Sequence, residues 1–224
     1  WLKHLGVSTQ ESIAIDVGAN IGNHSLYFSD YYRQVYSFEP SRNIFKVLSL
    51  NSDLVTNIDC FNFGCSNKNS SALLSFTNTN KGGSYITEEE KQGETEKIEV
   101  KALDKVLPEI EKVGLIKIDV EGHEFKALQG AEKTIRNNMP IILFEQHEYD
   151  FTNNSSPSIE FLKRIGYKKY AVLRKFPRVK GNFFKQLLIN PLLVLIFGDQ
   201  TRIELVRNIV PDFYEFIVAL PDWL

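Results

Sequence analysis

The chain has 224 residues, of which 43% are hydrophobic and 24% charged, and its formal net charge is −2. These values are typical of a globular domain, and they exclude a disordered chain or a fibrous repeat. They also disfavour a nucleic-acid partner, because phosphate binding needs clustered basic residues and most lysines and arginines here are scattered. We expect one domain that spans residues 1–224.

The first half of the chain alternates short apolar runs with helical patterns. The predicted elements are strands at 12–17, 35–38 and 58–63 and helices at 23–32 and 42–51. A β-α-β-α-β order predicts a parallel sheet with right-handed crossovers. The middle section, residues 72–102, contains two further apolar runs around a polar stretch and predicts a hairpin at the edge of that sheet.

The second half continues the alternation. The predicted elements are a short helix at 104–113 capped by Asp104, helices at 124–137 and 158–165, and strands at 115–120, 141–144, 168–173 and 213–220. The last strand is expected to be antiparallel, since no crossover helix precedes it. The pattern indicates a Rossmann-like α/β fold, with a mostly parallel seven-stranded sheet and helices on both faces.

Two features bear on location and partners. Cys60 and Cys65 lie in or beside one predicted strand, an arrangement that disfavours a disulfide and favours a reduced, cytoplasmic protein. The apolar stretch within residues 183–197 is too short to span a bilayer. It leaves three roles open, namely a lid, a homodimer face or a helix on a membrane surface.

The glycine turn after the first strand predicts a cofactor site, because ligands of such folds bind at the carboxyl ends of the strands. Gly18 and Gly22 allow the backbone to approach a ligand, and a helix beginning near Asn23 offers N–H groups to a carboxylate. Asp16 can receive an ammonium group, and Glu39, which ends the second strand, can accept both hydroxyls of a ribose.

Ammonium, carboxylate and ribose together describe S-adenosylmethionine. NAD is the competing ligand, but the turn lacks the G-x-G-x-x-G spacing that suits a pyrophosphate. A third interpretation is that the glycines only form a turn and that Glu39 is solvated.

Acidic residues follow the next two strands. Asp119, Glu121, His123 and Glu124 surround the end of the strand at 115–120, and such crowding of charge is seldom kept for structure alone. Glu124 is expected to cap the helix that follows, where negative charge is favourable. The strand at 141–144 ends in Glu145 and His147, and a histidine can serve as a base near neutral pH.

These motifs resemble those of the FkbM-type methyltransferases between about residues 12 and 146. The matching runs are Ile15–Gly22, Phe38–Pro40, Gly64–Asn67, Leu103–Asp104, Ile116–Glu124, Leu128–Ala131 and Leu143–Glu145. The resemblance implies a class I, S-adenosylmethionine-dependent methyltransferase that acts on a hydroxyl of a small molecule, sugar or glycan. Residues 176–211 lie outside it, as an apolar insertion.

The resemblance also implies roles for individual residues. Asp16, Gly18, Asn20 and Gly22 would hold the methionine part, Glu39 the ribose, Ser66 and Asn67 the adenine, and Asp119 would border the methyl-transfer site. The family usually has Asp where this chain has Asn67, which changes the pattern of donors and acceptors.

Methyl transfer to a hydroxyl is expected to need a general base, since such a group is barely ionised at neutral pH. The candidates, in order, are His123, Glu121, Glu145 and His147. A catechol-type alternative places Mg²⁺ on Asp119, Glu145 and Gln146, although the resemblance does not imply a metal. A NAD-dependent oxidoreductase and a non-catalytic nucleotide-binding or scaffold protein stay open as other classes.

Overall fold

The computed structural model of the protein describes residues 9–77, 80–87, 95–153, 155–176 and 200–224. Its strands are β1 (Ile13–Val17), β2 (Gln34–Phe38), β3 (Ile58–Phe61), β4 (Gly64–Cys65), β5 (Ser70–Thr77), β6 (Asn80–Thr87), β7 (Thr95–Lys101), β8 (Val113–Ile118), β9 (Ile141–Gln146), β10 (Lys169–Phe176), β11 (Gln200–Val206) and β12 (Tyr214–Leu220). Its α-helices are α1 (Asn23–Ser29), α2 (Arg42–Ser52), α3 (Leu103–Val106), α4 (Glu124–Gly130), α5 (Glu132–Asn138) and α6 (Pro157–Ile165).

The main sheet has the strand order β11-β10-β12-β9-β8-β1-β2-β3. The five strands from β9 to β3 are parallel, whereas β12 runs antiparallel to β9 and β10 antiparallel to β12. The predicted fold class and the antiparallel last strand are therefore confirmed. An eighth strand, β11, pairs antiparallel with β10 and lies inside the insertion at 176–211. The sequence pattern does not predict β11, because residues 200–206 mix charged and apolar side chains.

The centre of the sheet is buried on both faces. Ala14 and Leu115 belong to the core cluster on one face, and Ile15 and Ile116 belong to the cluster on the other. Burying one such aliphatic side chain contributes about 1.5–3 kcal/mol. This is why β1 and β8 read as continuous apolar runs, and why the one charged side chain within β8, Lys117, needs a special environment.

The middle of the chain forms a second sheet of its own, with the order β4-β7-β5-β6. The predicted hairpin at the edge of the main sheet is thus wrong in its placement. The strands of this second sheet pack around a small core of Leu74, Ile98 and Val100, and β4 pairs parallel with β7. Pairing between β4 and β7 joins segments more than 30 residues apart, which local patterns do not reveal.

Two predicted helices differ from the observed ones. The helix predicted at 124–137 is divided at Ala131 into α4 and α5. The helix predicted at 104–113 ends at Val106, and Asp104 does not cap it. The Asp104 carboxylate instead accepts the backbone N–H groups of Lys133 and Thr134, in the first turn of α5.

Both cysteines are free thiols, as predicted. Within the described ranges, no helix has the length and apolar character needed to cross a membrane. The apolar stretch at 183–197, and with it the choice between lid, dimer face and membrane-surface helix, lies outside the described residues.

Candidate active site

The turn after β1 brings three strand ends into backbone contact. Gly18 has φ +74°, and a Cβ atom at this position would lie 1.9 Å from the carbonyl oxygen of Asp119. The backbone N–H groups of Gly18 and Ala19 both donate to the Phe38 carbonyl oxygen, at 3.0 and 2.9 Å. Gly18 is therefore required by the close approach of the ends of β1, β2 and β8, and this requirement does not depend on a ligand.

An open cavity of about 310 Å³ lies over these strand ends, and we call it the strand-tip cavity. Its volume is at the lower end of the range of small-molecule sites. Of the residues predicted to bind a cofactor, five line it: Gly18, Asn20, Asn23, Glu39 and Asp119. The side chains of Lys117 and Glu121 also line the cavity. The structure thus brings the first glycine turn and the acidic loop after β8 to one cavity.

Lys117 is a buried cation at the floor of this cavity. Its Nζ atom lies 3.1 Å from Asp16 Oδ1 and 3.5 Å from Asp119 Oδ2, and it donates to the Gly18 carbonyl oxygen at 2.9 Å. Burial by itself lowers the pKa of Lys117, but the two carboxylates outweigh it and the net direction is upward. Lys117 therefore stays protonated and ties the ends of β1 and β8 together.

Asp16 serves this cation. Its carboxylate is fully buried, pairs with Lys117 and accepts a hydrogen bond from the Ser25 hydroxyl at 2.7 Å. Ser37 in turn donates to the Ser25 hydroxyl at 2.9 Å. The predicted contact of Asp16 with an ammonium group finds no support in this placement, because the carboxylate faces Lys117 and Ser25.

Glu39 is buried at the end of β2 and lines the strand-tip cavity. One carboxylate oxygen accepts the backbone N–H of Asn20 at 3.0 Å, and the other accepts that of Ser41 at 2.9 Å. Burial raises the pKa of Glu39 to about 7, against the lowering effect of these two hydrogen bonds and of Lys117; Asp16 raises it further. Glu39 thus titrates near neutral pH.

The loop between β8 and α4 is shaped by positive φ angles, +52° at Glu121 and +92° at Gly122. Glu124 Oε1 accepts the backbone N–H groups of Val120 and Gly122, each at 3.1 Å. Glu124 lies in the first turn of α4, where negative charge is favourable, but α4 has no side-chain cap and the Glu124 carboxylate instead holds the preceding loop. Burial raises the pKa of Glu124 to about 7.

Three of the four candidate bases meet beside this loop. His147 Nε2 lies 3.3 Å from Glu145 Oε2 and 4.0 Å from Glu121 Oε2. We call Glu121, Glu145 and His147 the acidic triad. Burial, together with Asp119 and Glu121, raises the pKa of Glu145 to about 8. Of the three, Glu121 lines the strand-tip cavity, and the triad adjoins the cavity through this residue.

His123, the first candidate base, lies elsewhere. It is buried, its Nε2 is 2.9 Å from the Ser66 hydroxyl, and it lines a second cavity of about 440 Å³. Ser66 and Asn67, the residues predicted to lie at the adenine, line this second cavity too. Asn67 donates to the Gln129 side chain at 3.3 Å. The neighbouring Cys65 lines the strand-tip cavity, so the two cavities adjoin along this segment.

The remaining predicted site residues fall into supporting positions. Gly22, at φ +94°, precedes α1, and a Cβ atom there would lie 2.8 Å from a methyl carbon of Leu48. Gln146, a ligand in the Mg²⁺ alternative, is buried; its amide nitrogen donates to Asp150 and its amide oxygen accepts from Ser156. That engagement removes Gln146 from the proposed set of oxygen ligands.

Two ionisable residues of the cavity were given no role from the sequence. Lys117 could have been found from its position inside an apolar strand, because a lysine is rarely buried without partners. His24 lines the cavity as well and stacks on Phe28 with ring centroids 6.0 Å apart. Burial lowers the pKa of His24, with a further lowering from Lys117. A single histidine in a helix offers no pattern that predicts this position.

The sheet order and the cavity at its parallel strand ends define a Rossmann-like α/β fold, in which the carboxyl edge of the sheet is the usual place for a ligand. Residues 16–169 match the methyltransferase FkbM domain, which is most of the chain. The chain belongs to the FkbM methyltransferase family.

Two curated relatives, both called methyltransferases, agree with this family assignment. The chain is 27% identical over 147 residues to "Methyltransferase 1" of Beauveria bassiana (strain ARSEF 2860) and 28% identical over 155 residues to "Methyltransferase sdnD" of Sordaria araneosa. The matches cover 54% and 53% of this chain but only 59% and 60% of those proteins. The chain thus spans about three fifths of the length of these relatives.

A solved structure supports the fold alone. The precorrin 8w decarboxylase of Methanobacterium thermoautotrophicum aligns with a TM-score of 0.51 at 12% identity, and the alignment covers 97% of this chain and 86% of that one.

Proposed function

We propose that this chain binds S-adenosylmethionine in the strand-tip cavity and transfers its methyl group to a hydroxyl oxygen of a small molecule, sugar or glycan. The observation that carries the proposal is the charge of the cavity. Glu39, Asp119 and Glu121 line it, while the charge of Lys117 is already shared between two carboxylates. Such a cavity favours a ligand with positive charge, as on a sulfonium and an ammonium group, and disfavours the pyrophosphate of NAD.

The residues present fit this cofactor. Each carboxylate oxygen of Glu39 accepts one backbone N–H, which leaves further acceptor capacity for ribose hydroxyls. Asn20 and Asn23 line the same wall and offer amide groups to a carboxylate. We assign Asp16 to the support of Lys117 and therefore leave it out of the set that touches the cofactor.

S-adenosylmethionine, when bound, supplies an electrophilic methyl group. The chain then has to orient the acceptor oxygen and take up its proton as the new O–C bond forms. The acidic triad is the group that can do this, because it combines two carboxylates and an imidazole at the border of the cavity. His123 is assigned to the second cavity and not to this step.

Binding is the first test. Mass spectrometry of the purified protein should show co-purified S-adenosylhomocysteine, and calorimetry should show uptake of that product but not of NAD. Glu39→Gln should weaken the uptake at least about tenfold, equivalent to about 1.4 kcal/mol. The matched control is Glu132→Gln, which removes an exposed carboxylate paired with Arg136. Folded protein that takes up no S-adenosylhomocysteine would refute the proposal.

Transfer is the second test. A screen of hydroxyl compounds with isotope-labelled S-adenosylmethionine should yield a labelled product that resists mild alkali, as an ether does and an ester does not. Uptake of S-adenosylhomocysteine without transfer to any acceptor would favour the non-catalytic, nucleotide-binding alternative.

A further inference from the structure

The acidic triad has the composition of a metal site as well as of a proton acceptor. It offers one imidazole nitrogen and two carboxylate oxygens, and ligand atoms of all three side chains lie within 4.8 Å of one another. Ligands that share one ion at bond lengths near 2.1 Å are separated by about 3.0–3.4 Å when they occupy neighbouring positions. The His147–Glu145 separation of 3.3 Å has this value already, and the 4.0 Å from His147 to Glu121 needs only a small movement.

Two atoms at the centre of the triad face each other without a well-formed hydrogen bond. Glu145 Oε2 and His147 Nε2 are buried, and neither has a hydrogen-bond partner among the described residues. Buried polar atoms are normally partnered, and these two have only each other, as an ion pair at 3.3 Å. A cation between them would satisfy both atoms at once.

The ring of His147 is held so that Nε2 reaches the carboxylates. It stacks on Tyr149, with centroids 4.7 Å apart and an interplanar angle of 10°, and it contacts the tilted ring of Phe213 at 5.1 Å. The backbone N–H of His147 donates to Asp150 Oδ2 at 2.8 Å. An imidazole that is held by two aromatic rings loses little freedom when it coordinates an ion.

We propose that the acidic triad binds a divalent transition-metal ion through Glu121, Glu145 and His147. An imidazole in the set favours Mn²⁺, Fe²⁺, Co²⁺ or Zn²⁺ over Mg²⁺, which prefers oxygen ligands alone. This set differs from the Mg²⁺ alternative of the sequence analysis, because Gln146 is engaged elsewhere and His147 takes part.

The role of such an ion rests on the proposed function, whereas its binding does not. Three protein ligands leave coordination positions open, and Glu121 lines the strand-tip cavity. With the ion bound, the triad would be occupied as ligands and would no longer accept the proton. A hydroxyl on the ion would instead release its proton to solvent and form the O–C bond while the S–C electron pair returns to sulfur.

Mn²⁺ uptake by the chelator-treated chain tests the proposal. Loss of the free Mn²⁺ resonance signal should show one equivalent bound, and Mn²⁺ should raise the melting temperature more than Mg²⁺ does. Glu145→Gln and His147→Gln should each bind Mn²⁺ at least about tenfold more weakly. The control, Glu132→Gln, should bind as the unaltered chain does.

Circular dichroism without metal shows whether each variant folds, and Glu121→Gln replaces any variant that does not. No stoichiometric uptake at millimolar Mn²⁺, or equal uptake by the triad variants and the control, would overturn the metal site. The triad would then serve only as the proton acceptor of the proposed function. Calorimetry with S-adenosylhomocysteine on the same metal-free sample keeps the two proposals separate, since uptake there supports the cofactor site whether or not Mn²⁺ binds.

Discussion

Replacing Lys117 with Met should destabilise the fold more than any loss of a surface charge. Lys117 and Asp16 have side-chain exposures of 2% and 0%, so the substitution leaves the Asp16 carboxylate buried without its cation. Removing one partner of a buried ion pair costs about 3–5 kcal/mol. Ser25 still donates to Asp16 in the variant, but a neutral hydroxyl does not replace a positive charge.

Urea unfolding followed by circular dichroism measures this loss. The matched control is Lys168→Met, which breaks an exposed pair with Asp222 at 2.8 Å and should cost about 0–1 kcal/mol. The double variant Asp16→Asn, Lys117→Met should recover part of the stability, because it removes both buried charges. If Lys117→Met unfolds at the same urea concentration as Lys168→Met, the buried pair of Lys117 and Asp16 does not contribute the expected free energy of unfolding.

Three further predictions concern the cavities. Gly18→Ala should cost about 1–3 kcal/mol more in urea unfolding than Gly122→Ala, because both have positive φ but only the first brings a Cβ atom against the Asp119 backbone. Equal costs would contradict the backbone clash. Glu39 has a folded-state pKa of about 7 against an ordinary 4.5, so its contribution to stability is complete below pH 4.5 and is lost as pH rises through 7. Glu39→Gln should therefore flatten the fall in stability between pH 5 and pH 8 by up to about 3 kcal/mol, whereas unchanged pH curves would show that Glu39 is ionised throughout. His123→Ala should lower turnover of an identified acceptor less than about tenfold, and a loss of about 10²-fold or more would restore it as the base.

Much of the main sheet could be predicted because its signals are local. The apolar runs that became β1 and β8 are buried on both faces, and such strands need no alternation to be recognised. The glycine turn was equally plain, since Gly18 follows directly on an apolar strand. The second sheet could not be predicted in the same way, because β4 and β7 pair across a long separation and depend on three apolar side chains.

The site was only partly predictable, because side-chain direction depends on backbone angles that the sequence does not show. Glu121 and His123 are two residues apart, yet one lines the strand-tip cavity and the other the second cavity. The positive φ angles of Glu121 and Gly122 turn the chain between them. A non-glycine residue with positive φ carries no sequence signal, so the order of the candidate bases could not be corrected in advance.

The two halves of the candidate site are held by different interactions. On the cofactor side, Lys117 donates to the Gly18 carbonyl oxygen and pairs with two carboxylates, so a buried cation fixes the ends of β1 and β8. On the side of the acidic triad, the loop that carries Glu121 is held by the hydrogen bonds of Glu124. The two networks meet at Asp119, which pairs with Lys117 and directly precedes Val120, whose N–H group Glu124 accepts. Under the proposed function, a change in the loop that carries Glu121 is therefore expected to reach the Lys117 pair through Asp119.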